Sequence, residues 1–160
     1  MKIAQIKKSV LIWGVLSKKA VDALKNEECV VAAECRPYLY GLKHNLILLN
    51  KEKIPYFYCT DNMLGVLFRE GKIKYTFIFY KQKNKEGFLS PAGSLYVYLL
   101  SKLHNIEVKF IPQGKFDDIS DRNASTLEGK LFVLEKDLPF VEDAEDELIE
   151  KSFIKEAQNV

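Results

Sequence analysis

Short apolar runs alternate with polar turns and with segments whose apolar residues recur every three or four positions. Ser9-Val-Leu-Ile-Trp13 is the first run, and it reads as a strand ended by Gly14. Ser17 is placed to cap a helix from Lys18 to about Lys25, with Ala20, Val21 and Leu24 on one face. Cys29 to Ala33 is apolar at every position, as a parallel strand covered on both faces should be. Glu34-Cys35-Arg36-Pro37 is a polar turn, and Gly41 then opens a helix on which Leu42, Leu46 and Leu49 recur at helical spacing. Ile54-Pro55 breaks it. Tyr56 to Cys59 is a third strand, followed by a second polar turn, Thr60-Asp61-Asn62-Met63.

Met63 to Phe68 suits a short helix with Leu64, Leu67 and Phe68 inward, and Gly71 suits the left-handed residue after it. Lys74 to Tyr80, rich in aromatic and β-branched residues, reads as a fourth strand. A basic loop, Lys81 to Glu86, follows. Ser90-Pro91-Ala92-Gly93-Ser94 then leads into a helix to about His104, whose buried stripe the spacing assigns to Leu95, Leu99, Leu100 and Leu103. Val108 to Ile111 is a fifth strand closed by Pro112, residues 113 to 129 are polar and irregular, and Leu131 to Leu134 is one further strand. Ala144 to about Ala157 reads as a terminal helix with Ile149, Phe153 and Ala157 spaced by four. Asp143, Glu145, Asp146 and Glu147 fall at its start, where carboxylates favour the helix dipole. Strands alternating with helices predict an α/β fold. It is a three-layer αβα sandwich, Rossmann-like, on a mainly parallel sheet of five or more strands, in one domain over residues 1–160.

Composition adds little that is specific. The chain has 160 residues, 48% hydrophobic and 29% charged, and a net charge of +2, so no class of anionic macromolecule is called for. Neither nucleic acid nor a membrane is an expected partner, and the Lys81–Lys85 run reads as a solvated loop. Three cysteines, Cys29, Cys35 and Cys59, without paired spacing predict a reducing, cytoplasmic setting. The histidines are His44 and His104 alone, no metal-ligand spacing occurs, and no cofactor is expected.

The chemistry concentrates in the two polar turns. Both follow short strands, so both are expected at the carboxyl ends of neighbouring parallel strands, where open α/β sheets bind ligands. Glu34, Arg36, Asp61 and Asn62 together could orient sugar hydroxyls, with Arg36 on a phosphate and either carboxylate as a base. Equally, Glu34 and Arg36 could form an ion pair that fixes the loop, with Asp61 capping the next helix. The Ser90–Ser94 turn could hold an anion on helix N–H groups, or Ser90 could be an ordinary N-cap with Pro91 at the first helical position. Cys35 is either a thiol activated by Arg36 or a small packed residue.

These motifs, with a glycine four residues after Pro37, resemble the C-terminal domain of a known family. It contains methylthioribose-1-phosphate isomerase, ribose-1,5-bisphosphate isomerase and the α, β and δ subunits of translation initiation factor 2B. Glu34-Cys35-Arg36-Pro37, Gly41 and Asp61-Asn62-Met63 match the family pattern in order and spacing, and Gly93-Ser94 is similar to its Gly-Thr at a helix start. The resemblance implies a site at the strand ends formed by Gly14, Glu34, Arg36, Asp61, Asn62, Ser90, Gly93 and Ser94. It also implies a phosphorylated small molecule as ligand and association as a homodimer or hetero-oligomer, for which Tyr38, Tyr40, Tyr96 and Tyr98 could form the contact surface.

The departures bear on chemistry. The family's isomerases carry a catalytic cysteine where this chain has Trp13-Gly14-Val15, and a catalytic aspartate where it has Ile78-Phe79-Tyr80. Their substrate glutamine corresponds to Tyr40, and their Asn-Lys pair to Ser90-Pro91. The family's N-terminal helical domain is expected to be absent. The expectation is a regulatory or non-catalytic member that binds a phosphorylated sugar or nucleotide. An aldose-ketose isomerase with a rebuilt site, using Asp61 or Glu34 as base together with Cys35, and a protein-interaction subunit are the alternatives.

Overall fold

The computed structural model describes residues 3–115, 124–127, 130–133 and 146–156. In chain order the elements are β1 (Ser9–Trp13), α1 (Lys18–Leu24), β2 (Val30–Ala33), α2 (Leu46–Lys51), β3 (Tyr56–Cys59), α3 (Leu64–Arg69) and β4 (Ile73–Tyr80). Then come β5 (Gln82–Lys83), β6 (Gly87–Pro91), α4 (Ser94–Leu103), β7 (Val108–Pro112), β8 (Ala124–Leu127), β9 (Lys130–Val133), β10 (Asp146–Glu150) and α5 (Lys151–Glu156).

Five strands form one parallel sheet in the order β3-β2-β1-β4-β7. From β1 the chain steps outward through β2 to β3, then crosses back to add β4 and β7 on the other side of β1. Right-handed crossovers running in opposite directions put their helices on opposite faces. The packing follows: Val10, Ile12, Val30 and Ala32 meet α1 and α2 through Ala20, Val21, Leu24 and Leu49. Leu11, Trp13, Val31 and Ala33 meet α3 and α4 through Leu64, Leu67, Phe68, Val97 and Tyr98. The strict alternation within β1 and β2 is the two-residue period of a strand buried on both sides. The predicted three-layer, Rossmann-like architecture is therefore present, and Ser9–Trp13 and Tyr56–Cys59 are strands with the predicted bounds. Gly71 has φ +63° just beyond α3.

The second half departs from the predicted pattern in four places. The basic loop is in part a hairpin: Asn84 Oδ1 accepts from the N–H groups of Glu86 and Gly87, closing a turn between β5 and β6. Phe88 of β6 stacks on Phe110 at 4.3 Å, which holds that hairpin on the sheet. Consequently Ser90 lies inside a strand and caps nothing; Gly93, with φ +85°, is the residue before α4.

The inward face of α4 is Ser94, Val97, Tyr98 and Ser101; of the predicted leucine stripe Leu100 packs against the core, while Leu99 and Leu103 are 49% and 76% exposed. The sheet beneath presents Thr76, and Ser101 Oγ pairs with its Oγ1 at 3.0 Å, so a polar position turns inward there. Tyr98 is buried against Phe110 and is unavailable to a contact surface.

Residues 124–127, expected to be irregular, pair with 130–133 as an antiparallel hairpin. Asp146 to Glu150 is a strand paired with β6, so the terminal helix shrinks to Lys151–Glu156. Ile149 is fully buried in the core, where the edge of β6 offers a ladder of backbone partners. Asp143, Glu145 and Ala157 lie outside the described residues.

Candidate functional site

β1 is the strand at which the sheet order reverses, with β2 and β4 on its two sides. Crevices at such switch points open beyond the carboxyl ends of the strands. The two polar turns meet there because β2 and β3 are in register at Ala33 and Cys59. The Glu34 N–H donates to the Cys59 carbonyl at 3.0 Å. Asp61 then reaches across: its carboxylate accepts the N–H groups of Cys35, at 2.9 Å, and Arg36, at 3.0 Å. It holds the neighbouring turn and does not cap the helix after it. Cys35 and Leu39 both have left-handed φ, 55° and 58°. That costs a non-glycine residue energy which fixed partners must offset.

Glu34 is 2% exposed, and its carboxylate is gripped by Arg36 through Nε at 3.1 Å and Nη2 at 3.4 Å. The Arg36 side chain closes this ion pair while 42% exposed, and Arg36 is also a lining residue of the crevice. Burial raises the Asp61 carboxyl above its ordinary value, the two N–H bonds oppose the rise, and the Glu34 charge adds to it. Burial pushes the Cys35 thiol well above the usual thiol range, and Asp61 adds to that. Cys59 is pushed up to about 12, first by burial and then by Asp61 and Glu34. Neither thiol is poised as a nucleophile.

The cavity between these turns and the start of α4 has a volume of about 370 Å³, enough for a small ligand. Trp13 forms part of its lining, Arg36 to Pro37 and Asp61 to Asn62 another part, and Ala92, Gly93 and Tyr96 the rest. Gly93 must lack a side chain because a Cβ there would overlap the Trp13 ring. Gly14 (φ +92°), Glu34, Ser90 and Ser94 do not line the cavity. Gly14 donates its N–H to Cys35 Sγ at 3.3 Å, and Ser94 Oγ donates to the Pro91 carbonyl.

Two residues of consequence escape the hydrophobic pattern. Asn45 is fully buried at the end of a wide π-type turn, Gly41–Asn45, that precedes α2. Its Oδ1 accepts the Leu16 N–H at 2.9 Å and its Nδ2 donates to the Gly14 carbonyl at 2.8 Å. The β1–α1 loop is thereby clamped. The signal was a polar residue on the Leu42–Leu46–Leu49 stripe. Glu147 is the other: its Oε1 accepts the Leu95 N–H at the start of α4. Burial raises its carboxyl, and the Leu95, Ser94 and Gly93 amides oppose the rise. Among the described residues no group of three or more His, Cys, Asp or Glu could hold a metal, and no helix is long and apolar enough to cross a membrane.

A family model described as the initiation factor 2 subunit family matches residues 1–125. The chain belongs to the initiation factor 2 subunit family. A search of curated proteins finds no match. Among solved structures, this family member is similar to 5-methylthioribose 1-phosphate isomerase from Pyrococcus horikoshii, with TM-score 0.67 and 12% identity, over 94% of this chain and 49% of that one. It is also similar to the delta subunit of translation initiation factor eIF-2B from A. fulgidus, with TM-score 0.58, 19% identity, and coverage of 68% and 36%. Translation initiation factor eIF-2B from Pyrococcus horikoshii gives TM-score 0.53 and 19% identity, over 82% and 54%. At these identities the likeness is one of fold, and the chain spans 36% to 54% of those proteins' lengths.

Proposed function

We propose that this member of the initiation factor 2 subunit family is a regulatory, non-catalytic protein that binds a phosphorylated sugar or nucleotide in the crevice. One observation carries the reading. Arg36, with a side chain 42% exposed, lines the cavity, while Glu34 and Asp61, the carboxylates beside it, are engaged by Arg36 and by backbone N–H groups. A cation with spare donors binds phosphate, whereas carboxylates tied to internal partners are poor proton carriers. Asn62 supplies an amide for hydroxyls, and the Tyr96 ring a face for a sugar or a base. The sugar-phosphate class is supported by the name of the isomerase that shares the fold. A cytoplasmic setting fits such a ligand.

The test is a thermal-shift screen of sugar phosphates and nucleotides on the wild type and on Asn62→Ala. A specific ligand raises the melting temperature of the wild type, and the exposed Asn62 amide contributes to that rise. No response to any phosphorylated compound would overturn the reading.

Two specific features favour other roles. The raised Asp61 carboxyl favours a rebuilt isomerase site with Asp61 as base, which sugar-phosphate turnover lost in Asp61→Asn would support. Exposed Tyr96, Leu99 and Leu103 on α4 favour an interaction subunit, as a homodimer or in a hetero-oligomer. A concentration-independent monomer in light scattering counts against the homodimer.

A further inference from the structure

Arg36, a lining residue of the crevice, is tied at both ends. Its backbone N–H donates to Asp61 Oδ2 at 3.0 Å, and its guanidinium meets Glu34 through Nε at 3.1 Å and Nη2 at 3.4 Å. Cys35, with φ 55°, turns the chain between the two side chains. The Glu34 side chain is 3% exposed against 42% for Arg36, so the ion pair has an inner and an outer end. A surface arginine samples many rotamers, and ordering it on a ligand costs affinity. Here the ordering precedes any ligand.

The same two bonds select which donors remain. A guanidinium carries five N–H donors in a planar fork. Glu34 takes one edge side-on, through Nε and one proton of Nη2. The other edge, Nη1 with the second Nη2 proton, holds no hydrogen bond among the described residues. Two parallel donors of this kind match two oxygens of one phosphate. Arg36 cannot swing wholly to a ligand, because that would leave the Glu34 carboxylate buried without its partner.

We infer, on the reading of the crevice as a phosphate site, that Glu34 is a positioning residue for the ligand. It holds Arg36 so that the Nη1–Nη2 edge takes two phosphate oxygens, and it keeps its own edge of the guanidinium when the crevice fills. Glu34 acts through Arg36 and does not touch the ligand.

The test uses the full chain with inorganic phosphate as the probe. Nitrogen-15 spectra follow the Arg36 side chain of the wild type. The Nη resonances should shift saturably while the Nε–H resonance stays near its phosphate-free position. A Glu34 that only supports the fold would leave both unmoved. Glu34→Asp keeps the charge and withdraws the carboxylate by one methylene, so its effect reports on position; it should bind phosphate at least about fivefold more weakly. If that variant fails to fold, the wild-type spectra carry the test alone. No Nη shift, an Nε–H shift as large as the Nη shift, or a folded Glu34→Asp that binds within twofold of the wild type overturns the inference. If a sugar phosphate or nucleotide still stabilises the wild type in that event, the crevice reading stands without it. If no phosphorylated compound affects the wild type, both fall.

Discussion

Asn45 offers a direct test of how the crevice is held. Its amide makes two hydrogen bonds to the backbone of the β1–α1 loop, at 2.9 Å and 2.8 Å, from a fully buried position. Asn45→Ala leaves the Leu16 N–H and the Gly14 carbonyl without partners in the interior. Each such group costs about 1–3 kcal/mol. Partial entry of water into the vacated space favours the lower half of the sum, so the expected loss is about 3 kcal/mol. A fold stable by about 5–15 kcal/mol survives that loss. Equilibrium unfolding in urea reads it directly: with a slope near 1.5–2 kcal/mol per molar, the midpoint falls by about 1.5–2 M. Asn45→Leu separates hydrogen bonding from volume, since it fills the space and satisfies neither group. It should be about as destabilised as the alanine variant. A midpoint drop below about 0.3 M for both would refute the clamp.

Two further predictions concern the crevice walls. Gly93→Ala forces a Cβ into the Trp13 ring at a residue with φ +85°, and should cost about 2–4 kcal/mol in urea unfolding; a loss under about 0.5 kcal/mol would contradict the packing. The Asp61 carboxyl lies above its ordinary value of 3.8, so the folded state binds that proton more tightly than the unfolded chain. Stability from this group is full below the unfolded value and is lost as pH rises through the folded one. The urea midpoint of the wild type minus that of Asp61→Asn should therefore shrink as pH rises above the ordinary value of 3.8, and a flat or growing difference would contradict it.

The first half of the fold was legible because its strands are uniformly apolar and its helices carry clean stripes. Val10 to Trp13 and Val30 to Ala33 leave no alternative to a doubly covered sheet. The second half was less legible because local pattern competes there with tertiary partners. Asp146 to Glu150 has acidic residues suited to a helix start, yet the edge of β6 and the burial of Ile149 make it a strand. The leucines of α4 mark one face, while Thr76 and Phe110 select the other.

At the site, the two polar turns could be placed from strand ends alone. What their side chains do could not, because Asp61 grips the neighbouring turn and Glu34 is paired internally, and both depend on register between β2 and β3. Trp13 and Glu147 were hidden for the same reason: each matters through a neighbour distant in sequence.

Occupancy of the crevice lined by Trp13, Arg36, Asn62, Gly93 and Tyr96 by a phosphorylated small molecule is open to direct measurement. Trp13 is the sole tryptophan, so its indole N–H gives a single resonance that reports on the cavity. The decisive measurement is a nitrogen-15 NMR titration of the wild type with the phosphorylated compound that most raises its melting temperature. Occupancy predicts saturable shifts at the Trp13 indole and at the Arg36, Asn62 and Gly93 amides. Shifts confined to residues outside the crevice, or an indole resonance that does not move at saturation, would contradict it.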